Sequence, residues 1–205
     1  MTIHFARVFS AELHGIEARR VDVEVDVHAG LHSFIIVGLA DKALSEARER
    51  VSAALKNSGF KPPTKENRKI VVNLAPADVK KNGSQYDCAI AIGYLCATEQ
   101  MKECALAGKM FVGEAGLDGS VWGGGGVLNI ARMACAHGIR ELYVPYANAA
   151  EAALVAGIVI IPVQTIADLV AHLEGRAVIA PQEQTRIISQ EAQGENDISA
   201  IKGQE

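Results

Sequence analysis

Residues 68–97 read RKIVVNLAPADVKKNGSQYDCAIAIGYLCA, and the order of element types within them decides the fold. Arg68 to Ala75 is a short run rich in β-branched residues, the composition of a buried strand, and Tyr86 to Ala97 is an apolar run long enough for a helix. Pro76 to Gly83 lies between them as a loop. Ser84 and Asp87 have the capping-box spacing, in which a serine oxygen accepts a backbone N–H and the acid caps back, so the helix is expected to start there. Strand, loop and helix in that order form the unit of α/β proteins, whose loops leave the sheet at its carboxyl edge, where ligands commonly sit. This loop offers Asp78, Lys80, Lys81, Ser84 and Gln85.

Working outward from that unit, the upstream chain is strand-like. Val21, Val23, Val25 and Val27 alternate with Asp22, Glu24 and Asp26, and the stretch Ile3 to Leu13 pairs with them about Gly15 as a hairpin with one wet face. Phe34 to Leu39 is a further strand. The helix after it, capped by Asp41 and ended by Gly59, gathers Leu44, Ala47, Val51, Ala54 and Leu55 on one face. Downstream, Lys109 to Gly113 and Ser120 to Trp122 flank a turn and suggest a second hairpin. Gly123 to Gly126 leads into a helix over 127–137. A strand at 141–145, a helix at 147–156, a strand at 158–162 and a helix at 165–174 follow. The fold class is therefore α/β, with some α+β character: a mixed sheet with packed helices, in one domain over residues 1–175. From Arg176 the composition turns to Gln, Glu, Ser and Gly, which predicts a flexible linker over 176–196.

At 205 residues and 49% hydrophobic, the chain can bury a full core. No apolar run approaches the roughly 18–20 residues of a spanning helix, and the start MTIHFARVFSAEL lacks the pattern of a secretory signal, so a cytoplasmic protein without membrane contact is expected. The four cysteines are widely spaced and the six histidines lack ligand spacing, so no metal site is expected. The glycine run has neither the lysine of a phosphate-binding loop nor the downstream acid of a dinucleotide site, and no nucleotide is expected to bind these residues. Charge is unevenly spread. Residues 41–81 hold ten Lys or Arg against five Asp or Glu, a balance of +5 in a chain whose net charge is −4. A basic segment on an acidic protein can face phosphate, and the candidate nucleic-acid contacts are Lys56, Lys61, Lys65, Arg68, Lys69, Lys80 and Lys81.

Three blocks carry a resemblance: VNLAPADVKKNGSQYDCAIAIG at 72–93, GEAGLDGSVWGGGGVLNIARMACAHGI at 113–139, and ELYVP at 141–145. Together with the stretch around the first hairpin, they resemble the N-terminal domain of magnesium-chelatase-like AAA+ ATPases of the ComM/YifB type. Cys88 and Ala89 stand where that pattern has Leu-Pro, and Gly123 and Gly124 where it has bulkier residues. The resemblance implies a fold like the proteolytic domain of Lon. In Lon-type peptidases the serine nucleophile and its lysine would fall at Gln85 and Leu128 here, so no catalytic residue is implied. DISAIKGQE at 197–205 is similar to the lead-in of the family's AAA+ module, so a truncated module is expected to begin there. The resemblance further implies a parent that binds ATP and Mg2+ in that module. Such a parent assembles as a hexamer and works on DNA as a branch-migration helicase in recombination and natural transformation. This chain would then assist DNA engagement or ring assembly. The alternatives are a protein-interaction module, a Lon-like peptidase using Ser84 with Lys81, and a chelatase subunit acting on tetrapyrroles.

Overall fold

The computed structural model describes residues 4–38, 42–65, 67–77, 81, 83–102 and 105–186. Alternating valines place the first hairpin at the centre of the sheet. Strand β1 (Phe5–His14) pairs antiparallel with β2 (Glu17–Ala29), and Val21, Val23, Val25 and Val27 are all buried on one side. β3 (Ser33–Val37), helix α1 (Lys42–Asn57) and β4 (Arg68–Ala75) follow, β4 pairing antiparallel with β2 and parallel with β3. Helix α2 (Asp87–Ala97) carries the chain across to β5 (Lys109–Phe111), which lies parallel to β1. Then come β6 (Glu114–Ala115), β7 (Val121–Trp122), α3 (Val127–Ala136), β8 (Glu141–Pro145), α4 (Ala149–Ala152), β9 (Val159–Val163) and α5 (Ile166–Leu173). The main sheet has the order β3-β4-β2-β1-β5-β8-β9, and β2 alone runs against its fellows.

The mixed α/β architecture agrees with the sequence reading, and the sheet divides two cores. One holds α1, α2 and α5 against β1, β2 and β4; the other holds α3 and α4 against Met110, Leu142 and Ile160. Helix α2 is buried on nearly every side, which explains its unbroken apolar sequence where a surface helix would show a stripe. Its approach to the sheet is close: a Cβ on Gly93 would come within 2.7 Å of Val25 Cγ2. No helix among the described residues is long and apolar enough to cross a membrane.

Four local expectations change. Ser84 does not cap α2: the residue before the helix is Tyr86, which makes no side-chain cap bond, and the Ser84 hydroxyl donates to Glu114 instead. A side-chain cap forms at α5, where Thr165 Oγ1 accepts the Asp168 N–H at 3.0 Å. β5 does not form a hairpin with 120–122. It joins the main sheet between β1 and β8, and β6 and β7 make a separate two-stranded ribbon. The helix expected over 147–156 shortens to a 3-10 turn, Tyr146–Asn148, and the single turn of α4. Beyond α5, residues 176–186 run back over the fold. Gln182 donates its N–H to the Ile160 carbonyl at 2.8 Å and Thr185 to the Ala153 carbonyl at 3.0 Å. The Asp41 cap and the 197–205 segment lie outside the described residues.

Candidate functional site

Six strands run the same way, so their carboxyl ends gather at one edge, and a cleft of about 490 Å³ opens there. The end of β1 contributes Glu12, the loop before α2 contributes Ser84 and Gln85, and β6 contributes Glu114. Trp122 and the glycines 123–126 form its far rim. Gln85 Nε2 donates to Glu12 Oε2 at 3.1 Å, and Glu12 is 2% exposed. The glycine run is tied down. Asn148 Nδ2 donates to the Gly124 carbonyl at 2.9 Å, and its Oδ1 accepts the Gly124 N–H at 3.2 Å. Gly126 has φ +76°, a backbone angle that favours glycine, and a Cβ there would come within 2.6 Å of Leu13 Cδ1, which would have to turn aside.

Behind the cleft lies a buried ion pair. Arg50 of α1 grips Asp87 at the start of α2 through Nε to Oδ2 at 2.7 Å and Nη2 to Oδ1 at 3.2 Å. The Ala115 N–H adds a bond to Oδ2 at 3.2 Å. Burial pushes the Asp87 carboxyl up to about 6, and the Arg50 bond pulls the other way. Asp87 is thus the joint between α1, α2 and β6. Its neighbour Cys88 is wholly buried and its thiol is pushed up by burial, so it is held as the unreactive thiol.

The expected peptidase positions hold Gln85, engaged with Glu12, and Leu128, whose backbone N–H donates to Glu151 Oε1 at 3.0 Å. The alternative pair of Ser84 with Lys81 is not formed. Ser84 Oγ donates to Glu114, and Lys81 Nζ donates to the Pro76 carbonyl.

The basic candidates divide. Lys81 is 0% exposed, so it is a buried structural side chain and not a surface phosphate contact as expected; its sequence neighbours gave no sign of that. Lys80 and the Lys65 side chain lie outside what the structure describes. Lys61 and Arg68 come together in one cleft of about 490 Å³ with Phe60 and Gln100. Gln100 fixes the Lys61 backbone in both directions, accepting its N–H at 2.7 Å and donating to its carbonyl at 3.0 Å, so that side chain leaves from a held point. Lys69 is exposed one residue along β4, and strand alternation puts it on the opposite sheet face from Arg68. Lys56 is exposed in the last turn of α1. Sequence reasoning missed Glu12, Arg50 and Asp87 as a buried polar set. Arg50 and Asp87 are 37 residues apart, and only the packing of α1 on α2 joins them.

The family model described as subunit ChlI of Mg-chelatase matches residues 23–148, from within β2 to the turn before α4, which is more than half of the chain. The chain belongs to the ChlI family. Within it, the chain is 40% identical over 171 residues to the competence protein ComM of Haemophilus influenzae, covering 83% of this chain and 33% of ComM. It is 36% identical over 191 residues to the uncharacterized protein YifB of Escherichia coli, covering 93% of this chain and 37% of YifB. An uncharacterized protein of Mycobacterium bovis is 34% identical over 198 residues, covering 97% of this chain and 38% of that protein. The chain spans about a third of the length of these curated relatives. The Arg50–Asp87 joint and the Lys61–Arg68 region fall within 23–148, whereas Glu12, on the cleft wall, lies before it.

Proposed function

We propose that this ChlI-family chain is a non-catalytic domain of an ATP-driven DNA motor of the competence type, and that it helps the motor engage DNA through Lys61 and Arg68. The observation that carries the reading is the convergence of those two basic side chains in one cleft. Basic side chains that share an open cleft suit a phosphate backbone, and sequence-independent contact of that kind suits a motor that moves along DNA. The name of ComM supports a competence role, and the positions of Gln85 and Leu128 support a scaffold role for the carboxyl-edge cleft. ATP and Mg2+ belong, in this reading, to a motor module elsewhere in the parent, which assembles as a cytoplasmic hexamer and acts in recombination.

The test is fluorescence anisotropy of labelled single-stranded, duplex and branched DNA with the chain at two salt concentrations. Salt-sensitive binding is expected, and Lys61→Glu with Arg68→Glu together should flatten the slope of log affinity against log salt by about 2. Absence of binding at low salt, or an unchanged slope in the double variant, overturns the reading and leaves a protein-interaction or ring-organising module in its place.

A further inference from the structure

The segment after α5 is held to the body at both ends of the helix-to-edge path. Arg176 donates its N–H to the Ala171 carbonyl at 2.9 Å, Ile179 packs against the first core, and Gln182 caps the Ile160 carbonyl on β9, the last strand of the sheet. An open sheet edge presents unpaired backbone groups, and here residues 176–186 cover part of it. The anchor in the middle is a side chain. The Ile179 N–H donates to His172 Nδ1 at 2.9 Å, and a ring nitrogen accepts only when it carries no proton. That bond assigns the neutral ring with its proton on Nε2.

We propose that residues 176–186 are a detachable strap over the β9 edge, latched by the neutral ring of His172 and released when that ring is protonated. Protonation at Nδ1 would set two N–H groups against each other, so the latch cannot survive it. The groups around the ring are Glu141 and Tyr143 of β8, Lys109 of β5, and Lys102 and Glu174, which line a cleft of about 360 Å³ with it. Tyr143 meets the ring edge-on at 5.7 Å between centroids. Glu141 is engaged by Lys109 and by the Tyr143 hydroxyl, the latter at 2.5 Å. Burial lowers the affinity of His172 for a proton, Glu141 opposes this and Lys109 adds to it. The latched ring therefore titrates below the ordinary histidine value. The latch is complete above that ordinary value and is lost as pH falls through the lowered one. Because the strap is the path from α5 to residue 187, its release changes how whatever follows is tethered.

Amide hydrogen exchange and ring nitrogen shifts by NMR on the full chain test this from about pH 8 down to about pH 5. Protection of the Ile179 amide is expected to fall about tenfold per pH unit below the His172 midpoint, with Gln182 and Thr185 following and the β4 amides unchanged. His172→Gln, whose carbonyl can accept the same N–H, should remove the pH dependence, and His172→Phe should lower protection at pH 8. Flat protection across the ring's titration, a proton found on Nδ1 at pH 8, or full protection in His172→Phe overturns the proposal. Should the Phe variant fail to fold, the wild-type titration and the Gln variant still decide.

Discussion

Removing Arg50 is the sharpest probe of the joint between α1, α2 and β6. Asp87 is 0% exposed and holds Arg50 through two bonds, while the Arg50 side chain is 16% exposed. Arg50→Ala leaves a carboxylate in the interior with only the Ala115 N–H to meet it. Losing one partner of a buried pair costs about 3–5 kcal/mol. The cost should depend on pH, with a sign that can be worked out. Asp87 in the wild type already titrates at about 6, above its reference value of 3.8, so the stability it contributes is present below 3.8 and is lost as pH rises through 6. Arg50 is what holds that value down. Without Arg50 the carboxyl climbs further, and the gap between variant and wild type widens by about 1.4 kcal/mol per pH unit from 6 up to the new value. Urea unfolding followed by far-UV circular dichroism at about pH 5.5 and about pH 8 measures both ends. Adding Asp87→Asn to the variant should recover part of the loss at the higher pH. Equal losses at the two pH values, or a loss below about 1 kcal/mol at the higher one, would refute the reasoning.

Two further outcomes follow from the same geometry. Gly126→Ala should destabilise by about 1–3 kcal/mol because it puts a side chain at positive φ against Leu13, whereas Gly124→Ala, which meets nothing within 4 Å, should fall within about 0.5 kcal/mol in the same unfolding assay. Lys81→Met should leave the salt slope of DNA binding unchanged, since the ammonium is 0% exposed; Lys81→Glu should lower the unfolding midpoint in urea by burying a carboxylate, and any loss of DNA binding should track that unfolding.

The parts legible in the sequence are those with a local cause. The alternating valines gave the central hairpin, the β-branched run gave β4, and the amphipathic pattern gave α1 with its end near Gly59. What went unread depends on groups distant in the chain. Ser84 has the composition of a cap, yet Glu114 lies 30 residues on and takes its hydroxyl. Lys81 reads as a surface lysine in the text, yet it is 0% exposed and its Nζ donates to the Pro76 carbonyl. The strands at 109–113 and 120–122 look like one hairpin because a turn lies between them. Sequence spacing cannot register that β5 is already claimed by β1 and β8. Lys61 and Arg68 were legible as basic residues, and their shared cleft was not, because Gln100 from beyond α2 builds one wall of it.

The protein has one tryptophan, Trp122, and it stands 63% exposed on the rim of the carboxyl-edge cleft with its indole N–H donated to Ser120 Oγ at 2.7 Å. Its emission in the folded state should already be that of a hydrated indole, so intrinsic fluorescence will change little when the core melts. The same placement makes it a built-in optical reporter for the cleft. A molecule entering between Gln85 and the glycine run would dehydrate the ring, and the resulting blue shift would report occupancy with no label attached.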